Sequence, residues 1–386
     1  MKLDSLSSLL DGIKAQGLYR RRRVVEKIHG ANAFSDGRPV VNFCSNDYLG
    51  LADHPKVMAA FLHGAEIYGV GSGASHLVTG HGPAHHALEE ELAEFTRRER
   101  ALLFSTGYMA NVGVIAALAG QGDWIFEDRL NHASLLDGAM LSGAKLKRYA
   151  HADAEALRVL MERSPPKEKM VITDGVFSMD GDLAPLPELA VVARQAQACL
   201  MVDDAHGLGA VGPTGRGVIE HFGLSAADVP VLVGTLGKAF GTFGAFVAGS
   251  HDLIEYLIQR CRPYTYTTAL PPAVVEATRA SLRLVVEETW RREKLRFLVA
   301  RFRSGVGQLG LSLMASHTPI QPILLGGNEL ALQASQSLLE SGFLVAAIRP
   351  PTVPEGTARL RVTLSAAHEE QDVDRLLEAL ARLDVD

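Results

Sequence analysis

Short runs of apolar, β-branched and aromatic residues alternate along the first two thirds of the chain with longer segments of helical periodicity. Six runs have the length of a buried strand, and segment 187–198 between two of them has the spacing of an amphipathic helix. Strands that alternate with helices predict a mostly parallel sheet with helices on both faces, an α/β fold. The predicted strands are 101–104, 123–126, 170–174, 199–203, 231–235 and 244–249.

The pattern changes after the last of these strands. Pro271 and Pro272 open a long stretch of helical periodicity, roughly 273–309. Beyond it, strand-like runs (322–327, 344–348 and 358–364) mix with helical patterns (330–341 and 369–383). We therefore predict an N-terminal helical segment (1–40), a large α/β domain (41–272) and a small C-terminal α+β domain (273–386).

Composition and charge exclude several classes of protein. The 386 residues are 47% hydrophobic and 21% charged, which is typical of a globular chain with a sizeable core. The formal net charge of -6 argues against nucleic acid as a partner, and the basic run 20–23 is short enough to be a solvated helix face.

The N-terminal residues predict an amphipathic helix and not a signal peptide, and no apolar run reaches the length that spans a membrane. Cys44, Cys199 and Cys261 are few, odd in number and far apart, so we expect neither a disulfide framework nor a cysteine metal site. These features favour a reducing cytoplasmic location, without membrane attachment.

Reactive side chains follow two neighbouring predicted strands at their carboxyl ends, where parallel sheets bind ligands. Asp203 and His206 follow one strand, and Lys238 comes just after Thr235 on the next. An amine that can form an imine and a carboxylate that can hold a pyridinium proton are what pyridoxal phosphate (PLP) chemistry requires. The order of these groups therefore favours PLP as a cofactor.

Two helix starts could complete such a site. Residues 105–111 follow a strand and open a helix, where backbone N–H groups can bind a phosphate, although an ordinary strand-to-helix turn is the alternative. His132 lies at another helix start and could stack on a cofactor ring or simply belong to the cap. A metal site near Asp203 is a rival interpretation, but too few ligands are local.

Two further patterns offer alternatives. The histidines of segment 76–86 resemble a metal site, but Gly80, Gly82 and Pro83 make a continuous helix through His81 improbable, so we expect no metal. Segment 69–74 loosely resembles a dinucleotide fingerprint, yet it follows a helical pattern and not a strand. A dinucleotide-dependent oxidoreductase is therefore the weaker alternative.

Six motifs are spread over nearly the whole chain. They are 46–51 (Asn-Asp-Tyr-Leu-Gly-Leu), 105–111 (Ser-x-Gly-Tyr-x-Ala-Asn), 132–134 (His-Ala-Ser), 177–181 (Phe-Ser-Met-Asp-Gly), 203–207 (Asp-Asp-Ala-His-Gly) and 235–238 (Thr-x-Gly-Lys). In this order they resemble the α-oxoamine synthases, fold-type I PLP enzymes that condense an amino acid with an acyl thioester and release carbon dioxide. The resemblance implies that fold, and a homodimer in which Thr267 or Thr268 reaches the partner's phosphate.

The resemblance also implies roles for individual residues. Lys238 would carry the cofactor and move the α-proton, Asp203 would bind the pyridine nitrogen, and His132 would stack on the ring. Gly107, Tyr108, Ser178, His206 and Thr235 would complete the cofactor site. On the substrate side, Asn46 would lie over the reacting centre, Arg361 would bind the amino-acid carboxylate, and Arg20 and Thr352 would contact the acyl group.

Residues 45–51 and 348–354 most resemble the biotin-pathway member of the family. That resemblance implies L-alanine and a pimeloyl thioester, on CoA or on acyl carrier protein, as substrates. Sister enzymes such as glycine C-acetyltransferase and 5-aminolevulinate synthase stay as alternatives. Asp174 stands where the family has glutamate, so any hydrogen bond it makes must be re-aimed.

Overall fold

The computed structural model describes residues 5–15, 18–20, 22–165 and 167–384. Residues 1–4, 16 and 17 of the predicted N-terminal helix, and Arg21 of the basic run, lie outside these residues. No helix in the described part of the chain combines the length and the apolar composition needed to cross a membrane.

The strands are, in chain order, β1 (Val25–His29), β2 (Asn32–Ser35), β3 (Arg38–Asn42), β4 (Arg100–Phe104), β5 (Trp124–Asp128), β6 (Lys145–Tyr149), β7 (Lys169–Asp174), β8 (Cys199–Asp203), β9 (Val231–Thr235), β10 (Ala245–Gly249), β11 (Ile320–Gly326), β12 (Phe343–Leu344), β13 (Ala346–Ile348) and β14 (Ala358–Thr363). The helices are α1 (Leu6–Ala15), α2 (Pro55–Tyr68), α3 (Pro83–Thr96), α4 (Gly107–Leu118), α5 (Ala133–Ser142), α6 (Ala154–Glu162), α7 (Leu186–Gln195), α8 (Gly217–His221), α9 (His251–Arg260), α10 (Arg262–Thr265), α11 (Pro272–Glu287), α12 (Trp290–Gln308), α13 (Asn328–Glu340) and α14 (Glu370–Leu380).

A seven-stranded sheet in the order β4-β10-β9-β8-β7-β5-β6 contains all six strands predicted for the large domain. Strand β10 is antiparallel to both of its neighbours, and the pairs among β9, β8, β7, β5 and β6 are parallel. Sequence reasoning missed β6, because this edge strand is rich in lysine and arginine and leaves most of its side chains exposed.

Successive residues of the central strands enter different apolar clusters. Val171 packs into the cluster that includes Leu88 and Leu157, whereas its neighbours Met170 and Ile172 pack into the cluster that includes Val114 of α4. This alternation places apolar side chains on both faces of the sheet, under helices on each side. Polar functional groups of the sheet therefore lie at the ends of the strands.

The N-terminal part differs from the prediction of a helical segment over 1–40. Its described helix is α1, and β1 to β3 then form an antiparallel meander. Strand β12 joins β3 in parallel, so the two ends of the chain share one sheet. The sequence signal was weak because these strands are only four or five residues long, and β2 and β3 bury only two side chains each. The division into three domains stays a prediction.

The C-terminal part contains the predicted strands and helices around the antiparallel sheet β11-β14-β13. The helical stretch expected over 273–309 is two helices, α11 and α12, which separate at Glu288, where ψ is 64°. Neither glycine nor proline marks this break. A tertiary contact accompanies the break: Arg291, just after it, donates a hydrogen bond of 2.9 Å to the carbonyl of Leu49.

Candidate active site

The carboxyl ends of β7, β8 and β9 meet at one edge of the large sheet. Asp174 and Asp203 lie directly opposite each other in the β7–β8 register, and Lys238 follows the end of β9 by three residues. The predicted cluster of strand-end groups is therefore present.

Asp203 and Asp204 have different surroundings although they are adjacent. Oδ2 of Asp203 accepts a hydrogen bond of 2.6 Å from the side-chain amide of Asn111, and its Oδ1 accepts one of 3.0 Å from the backbone of Ala205. Oδ2 of Asp204 instead accepts the backbone N–H of Val218 at 2.8 Å. Burial raises the pKa of Asp204 well above its ordinary value.

Glycines make room for the Asp204 side chain. A Cβ atom on Gly217 would lie 1.7 Å from its Oδ2, and one on Gly207 would lie 2.0 Å from its Oδ1. Asp204 is thus enclosed by the loop between β8 and α8. It therefore belongs to the packing of that loop, whereas Asp203 faces Asn111.

Lys238 ends a short chain of hydrogen bonds. Its Nζ lies 2.7 Å from Nε2 of His206, and Nδ1 of the same ring lies 2.5 Å from the hydroxyl of Tyr48. Burial lowers the pKa of Lys238 to about 8 and places that of His206 well below its ordinary value. Burial also raises the pKa of Tyr48 to about 12, so the phenol keeps its proton.

Arg361 of β14 reaches this group from the C-terminal part. Its Nε donates to the carbonyl of Ser178 at 2.7 Å, and its Nη1 donates to the hydroxyl of Thr363 at 2.9 Å. Longer contacts of 3.3 and 3.4 Å join Nη2 and Nη1 to Oδ1 of Asn46. The guanidinium is buried and held in one orientation by these partners.

His132 is the N-cap of α5. Its Nδ1 lies 2.7 Å from the hydroxyl of Ser134, and its backbone N–H donates to Oδ2 of Asp174 at 2.7 Å. Burial lowers the pKa of His132 and raises that of Asp174. The shorter acid at position 174 thus binds the backbone of the residue that carries the imidazole.

The start of α4 forms an open end of the site. Thr106 caps the helix through a bond of 3.2 Å from the N–H of Met109, and a Cβ atom on Gly107 would meet no atom within 4 Å. Tyr108 next to it is 47% exposed, and its hydroxyl donates to the carboxylate of Asp137. Thr235 at the end of β9 donates to the carbonyl of Gly244 at 3.1 Å.

Arg20 and Thr352 are also brought together, although 332 residues separate them in sequence. Nη2 of Arg20 donates to the hydroxyl of Thr352 at 3.2 Å. Both line a cavity of about 580 Å³ that also includes Cys44 and Ile348. This is the size of cavity that encloses a small organic ligand.

The histidine-rich segment shows one group with metal-like spacing. Ligand atoms of His81, His86 and Glu89 lie within 4.8 Å of one another. Nδ1 of His81 already lies 3.0 Å from His76, and Glu89 accepts the backbone N–H of Leu103 at 3.0 Å. The expectation of no metal stays a prediction.

The profile of the family described as aminotransferase class I and II matches residues 38–380. The chain belongs to this family. Among curated relatives, the 8-amino-7-oxononanoate synthase of Methylococcus capsulatus is 67% identical over 99% of this chain and 98% of its own length. The protein of the same name from Thioalkalivibrio sulfidiphilus is 64% identical over 98% of this chain and 96% of its own. These matches confirm the predicted α-oxoamine synthase resemblance.

Similar solved structures confirm the predicted fold class. A serine palmitoyltransferase from S. paucimobilis, solved with PLP joined to myriocin, superposes with a TM-score of 0.93 at 32% identity and covers 99% of this chain and 98% of its own. The 8-amino-7-oxononanoate synthase from Francisella tularensis gives 0.78 at 33% identity, over 89% and 97% of the two chains.

The site fits the expected PLP on its own chemistry. A buried lysine with a lowered pKa, a carboxylate bound by a neutral amide, and an open helix N-terminus are the kinds of group that can bind the aldehyde, the pyridine nitrogen and the phosphate of that cofactor. Oδ1 of Asn111 is moreover buried with no hydrogen-bond partner among the described residues. A buried acceptor without a partner needs an explanation, and a ligand that binds beside it would provide one.

Three residues of this site received no individual role from the sequence. Tyr48 binds His206, Asn111 binds Asp203, and Ser134 joins Asn111 to His132. All three lie inside or beside the quoted motifs. The available signal for Asn111 was its position as a polar residue one turn into the apolar helix α4. A buried amide there needs a hydrogen-bond partner.

Proposed function

We propose that this protein condenses L-alanine with a pimeloyl thioester, on CoA or acyl carrier protein, to form 8-amino-7-oxononanoate, carbon dioxide and the free thiol. The cofactor is PLP. The single observation that carries the chemistry is the buried amine of Lys238, in contact with His206 and at the same strand edge as Asp203. The curated relatives at 60–67% identity supply the choice of substrates.

Lys238 holds the cofactor covalently, and Asp203 pairs with its pyridine nitrogen. His132 provides the flat surface for the ring, while Gly107, Tyr108, Thr235, Ser178 and His206 complete its surroundings. When bound, PLP supplies an electron sink that stabilises negative charge on the α-carbon of the amino acid. Asn111 supports this arrangement by keeping the Asp203 carboxylate in place.

Lys238 moves the α-proton at its Nζ atom. Since its pKa is about 8, roughly a tenth of the amine is free at pH 7 and can accept a proton. Tyr48 keeps its proton, and the ring of His206 connects its hydroxyl, at Nδ1, with the amine of Lys238, at Nε2. This neutral imidazole orients the amine without adding a positive charge beside it.

Arg361 binds the alanine carboxylate. Its guanidinium is planar, buried and already oriented by Ser178 and Thr363, so little side-chain entropy is lost when substrate arrives. Asn46 accepts hydrogen bonds from the same guanidinium and would lie over the reacting centre. The Arg20–Thr352 pair contacts the pimeloyl group in the neighbouring cavity.

The active form is a homodimer in the cytoplasm. Exposed apolar side chains on and near α2, such as Met58, Leu62 and Ile67, provide a surface that a second subunit would cover. Thr267 or Thr268 would reach the phosphate of the partner's cofactor. Sedimentation of the purified holoenzyme tests the dimer.

A substrate panel tests the function. The purified protein is loaded with PLP and given L-alanine, glycine or L-serine against pimeloyl-CoA, pimeloyl carrier protein, acetyl-CoA, succinyl-CoA and palmitoyl-CoA, while carbon dioxide release is followed. The proposal expects the highest kcat/KM for L-alanine with a pimeloyl thioester. Preference for glycine with a short acyl group, or for serine with palmitoyl-CoA, would contradict it.

A further inference from the structure

A tight turn of residues 177–182 connects the end of β7 to the segment before α7. The backbone N–H of Phe177 donates to the carbonyl of Asp182 at 3.0 Å, and that of Gly181 donates back to Phe177 at 2.8 Å. We name this segment the Ser178 turn. Its Ser178 carbonyl is the acceptor for Nε of Arg361 at 2.7 Å, so the position of the turn fixes one side of that guanidinium.

The C-terminal part of the chain holds the tip of the Ser178 turn. Nη1 of Arg359 donates to Oδ1 of Asp180 at 2.7 Å. The hydroxyls of Ser316 and Thr318 both donate to the carbonyl of Gly181, at 2.8 and 2.9 Å. These contacts attach the tip of the turn, while a backbone bridge between Val176 and Leu183 closes its base.

His151 holds that base. Its Nε2 lies 2.9 Å from Oδ2 of Asp182, and its Nδ1 lies 3.1 Å from Oδ1 of Asp128 at the end of β5. The Asp128 carboxylate is itself fixed by the backbone N–H groups of Leu130 and Ala152, at 2.8 and 2.7 Å. The ring of Phe177 packs edge-on against the imidazole, with 4.4 Å between the ring centroids.

The two contacts require a charged ring. Carboxylate oxygens only accept hydrogen bonds, so both ring nitrogens of His151 must carry a proton. Burial by itself lowers the pKa of His151, but the hydrogen bonds to Asp128 and Asp182 and their charges outweigh burial and raise it to about 10. The imidazolium therefore bridges two anions, one on the sheet and one on the turn.

We propose that His151 is a positioning residue for the amino-acid carboxylate, because its bridge between Asp128 and Asp182 holds the Ser178 turn in the place that orients Arg361. His151 has no direct contact with Arg361 in this arrangement and acts through the turn. The inference rests on the proposed function in that it assigns the substrate carboxylate to Arg361. It predicts an effect on amino-acid binding that a residue stabilising only the fold would not produce.

The first test is His151→Gln, which keeps one hydrogen-bonding group and removes the charge. The KM for L-alanine should rise about tenfold, equivalent to about 1.4 kcal/mol, while the KM for the thioester stays within about twofold, as expected for uncoupled sites. The matched control is His251→Gln. His251 is exposed and follows the end of β10. Because β10 runs antiparallel to β9, His251 lies at the edge of the sheet opposite the site. This control should change neither constant.

A double-mutant cycle with Arg361→Lys decides whether His151 acts through the arginine. If it does, His151→Gln should raise the alanine KM much less in the Arg361→Lys background than in the unmodified protein. Equal increases in both backgrounds, or a loss of thermal stability with unchanged KM values, would overturn the proposal. Asp182→Asn removes the other end of the bridge and should reproduce the effect, which provides a second variant if His151→Gln does not fold.

Failure of the proposed function would be visible separately. In that case the unmodified protein would not turn over alanine with any pimeloyl thioester. The cycle is then repeated by titrating whichever amino acid changes the visible absorbance of the PLP-loaded protein. If the double-mutant cycle then shows no coupling between His151 and Arg361 for that amino acid, the positioning role of His151 is contradicted, independently of the proposed function.

Discussion

The side-chain amide of Asn111 donates hydrogen bonds to both Oδ2 of Asp203, at 2.6 Å, and the hydroxyl of Ser134, at 2.8 Å. All three side chains are buried. The carboxylate of Asp203 is thus oriented by a neutral donor, the side-chain amide of Asn111. Asp204, one residue later, is enclosed by glycines and has no such role.

Replacing these two acids should therefore have different consequences. In Asp203→Asn, we expect kcat to fall by about 10²-fold or more, the size of one lost electrostatic contact in a catalytic site, because an amide cannot neutralise the pyridinium. Asp204→Asn keeps the acceptor for Val218, and burial already favours the neutral form of this acid, so its kcat should stay near normal. Steady-state kinetics of both PLP-loaded variants would measure this, and the reverse order would contradict the assignment.

Lys238→Ala should bind PLP without a covalent link and lose about 10²- to 10⁴-fold in kcat, the range for removal of a general acid–base group. Borohydride reduction of the unmodified holoenzyme, followed by peptide mass spectrometry, should label the peptide that contains Lys238. Lys294, whose amine pairs with Glu369 at 2.9 Å, provides a control as Lys294→Ala and should keep activity and label. Labelling of a different lysine would exclude the assignment.

Gly217→Ala should strongly destabilise the protein. Gly217 has φ of +82°, and a Cβ atom there would lie 1.7 Å from Asp204. Left-handed strain and overpacking together suggest a loss of about 2–5 kcal/mol. Gly223 has φ of +65° but no atom within 4 Å of an added Cβ, so Gly223→Ala isolates the strain and should lose about 1–2 kcal/mol. Denaturant unfolding of both variants measures the difference, and similar losses would mean that Asp204 can move aside.

The large sheet could be predicted from the sequence because buried parallel strands are short apolar runs. Strand β6 could not be predicted, because Lys145 and Lys147 make its sequence resemble a polar loop. Asp203, His206 and Lys238 could be assigned because strand ends converge at one edge and the motifs occur in a known order. The different surroundings of Asp203 and Asp204 could not be predicted from the sequence. They depend on Asn111 and on Gly217, which contact these acids only after the chain folds.

The stabilisation contributed by His151 should depend on pH. Its pKa is raised on folding from 6.5 to about 10, so the charged bridge contributes fully below about pH 6.5 and its contribution is lost as the pH rises through about 10. The charged groups that face the ring are Asp128 and Asp182. The difference in unfolding free energy between the unmodified protein and His151→Gln should therefore shrink from pH 6.5 to 10. A difference that is constant over this range would mean that His151 is neutral.

Arg361→Lys and Arg20→Ala should separate the two substrates. The Arg361 guanidinium presents paired N–H groups to a carboxylate, whereas an ammonium is a point charge that cannot also keep the contacts with Ser178 and Thr363. We expect the alanine KM to rise strongly in Arg361→Lys, while the thioester KM changes little. The upper range for the lost binding free energy of a buried charged contact is about 2–5 kcal/mol. In Arg20→Ala the thioester KM should rise instead, because Arg20 lies with Thr352 in a separate cavity. Both KM values are measured for each variant with the other substrate saturating. The opposite pattern would show that the two arginines bind the other ends of the reaction.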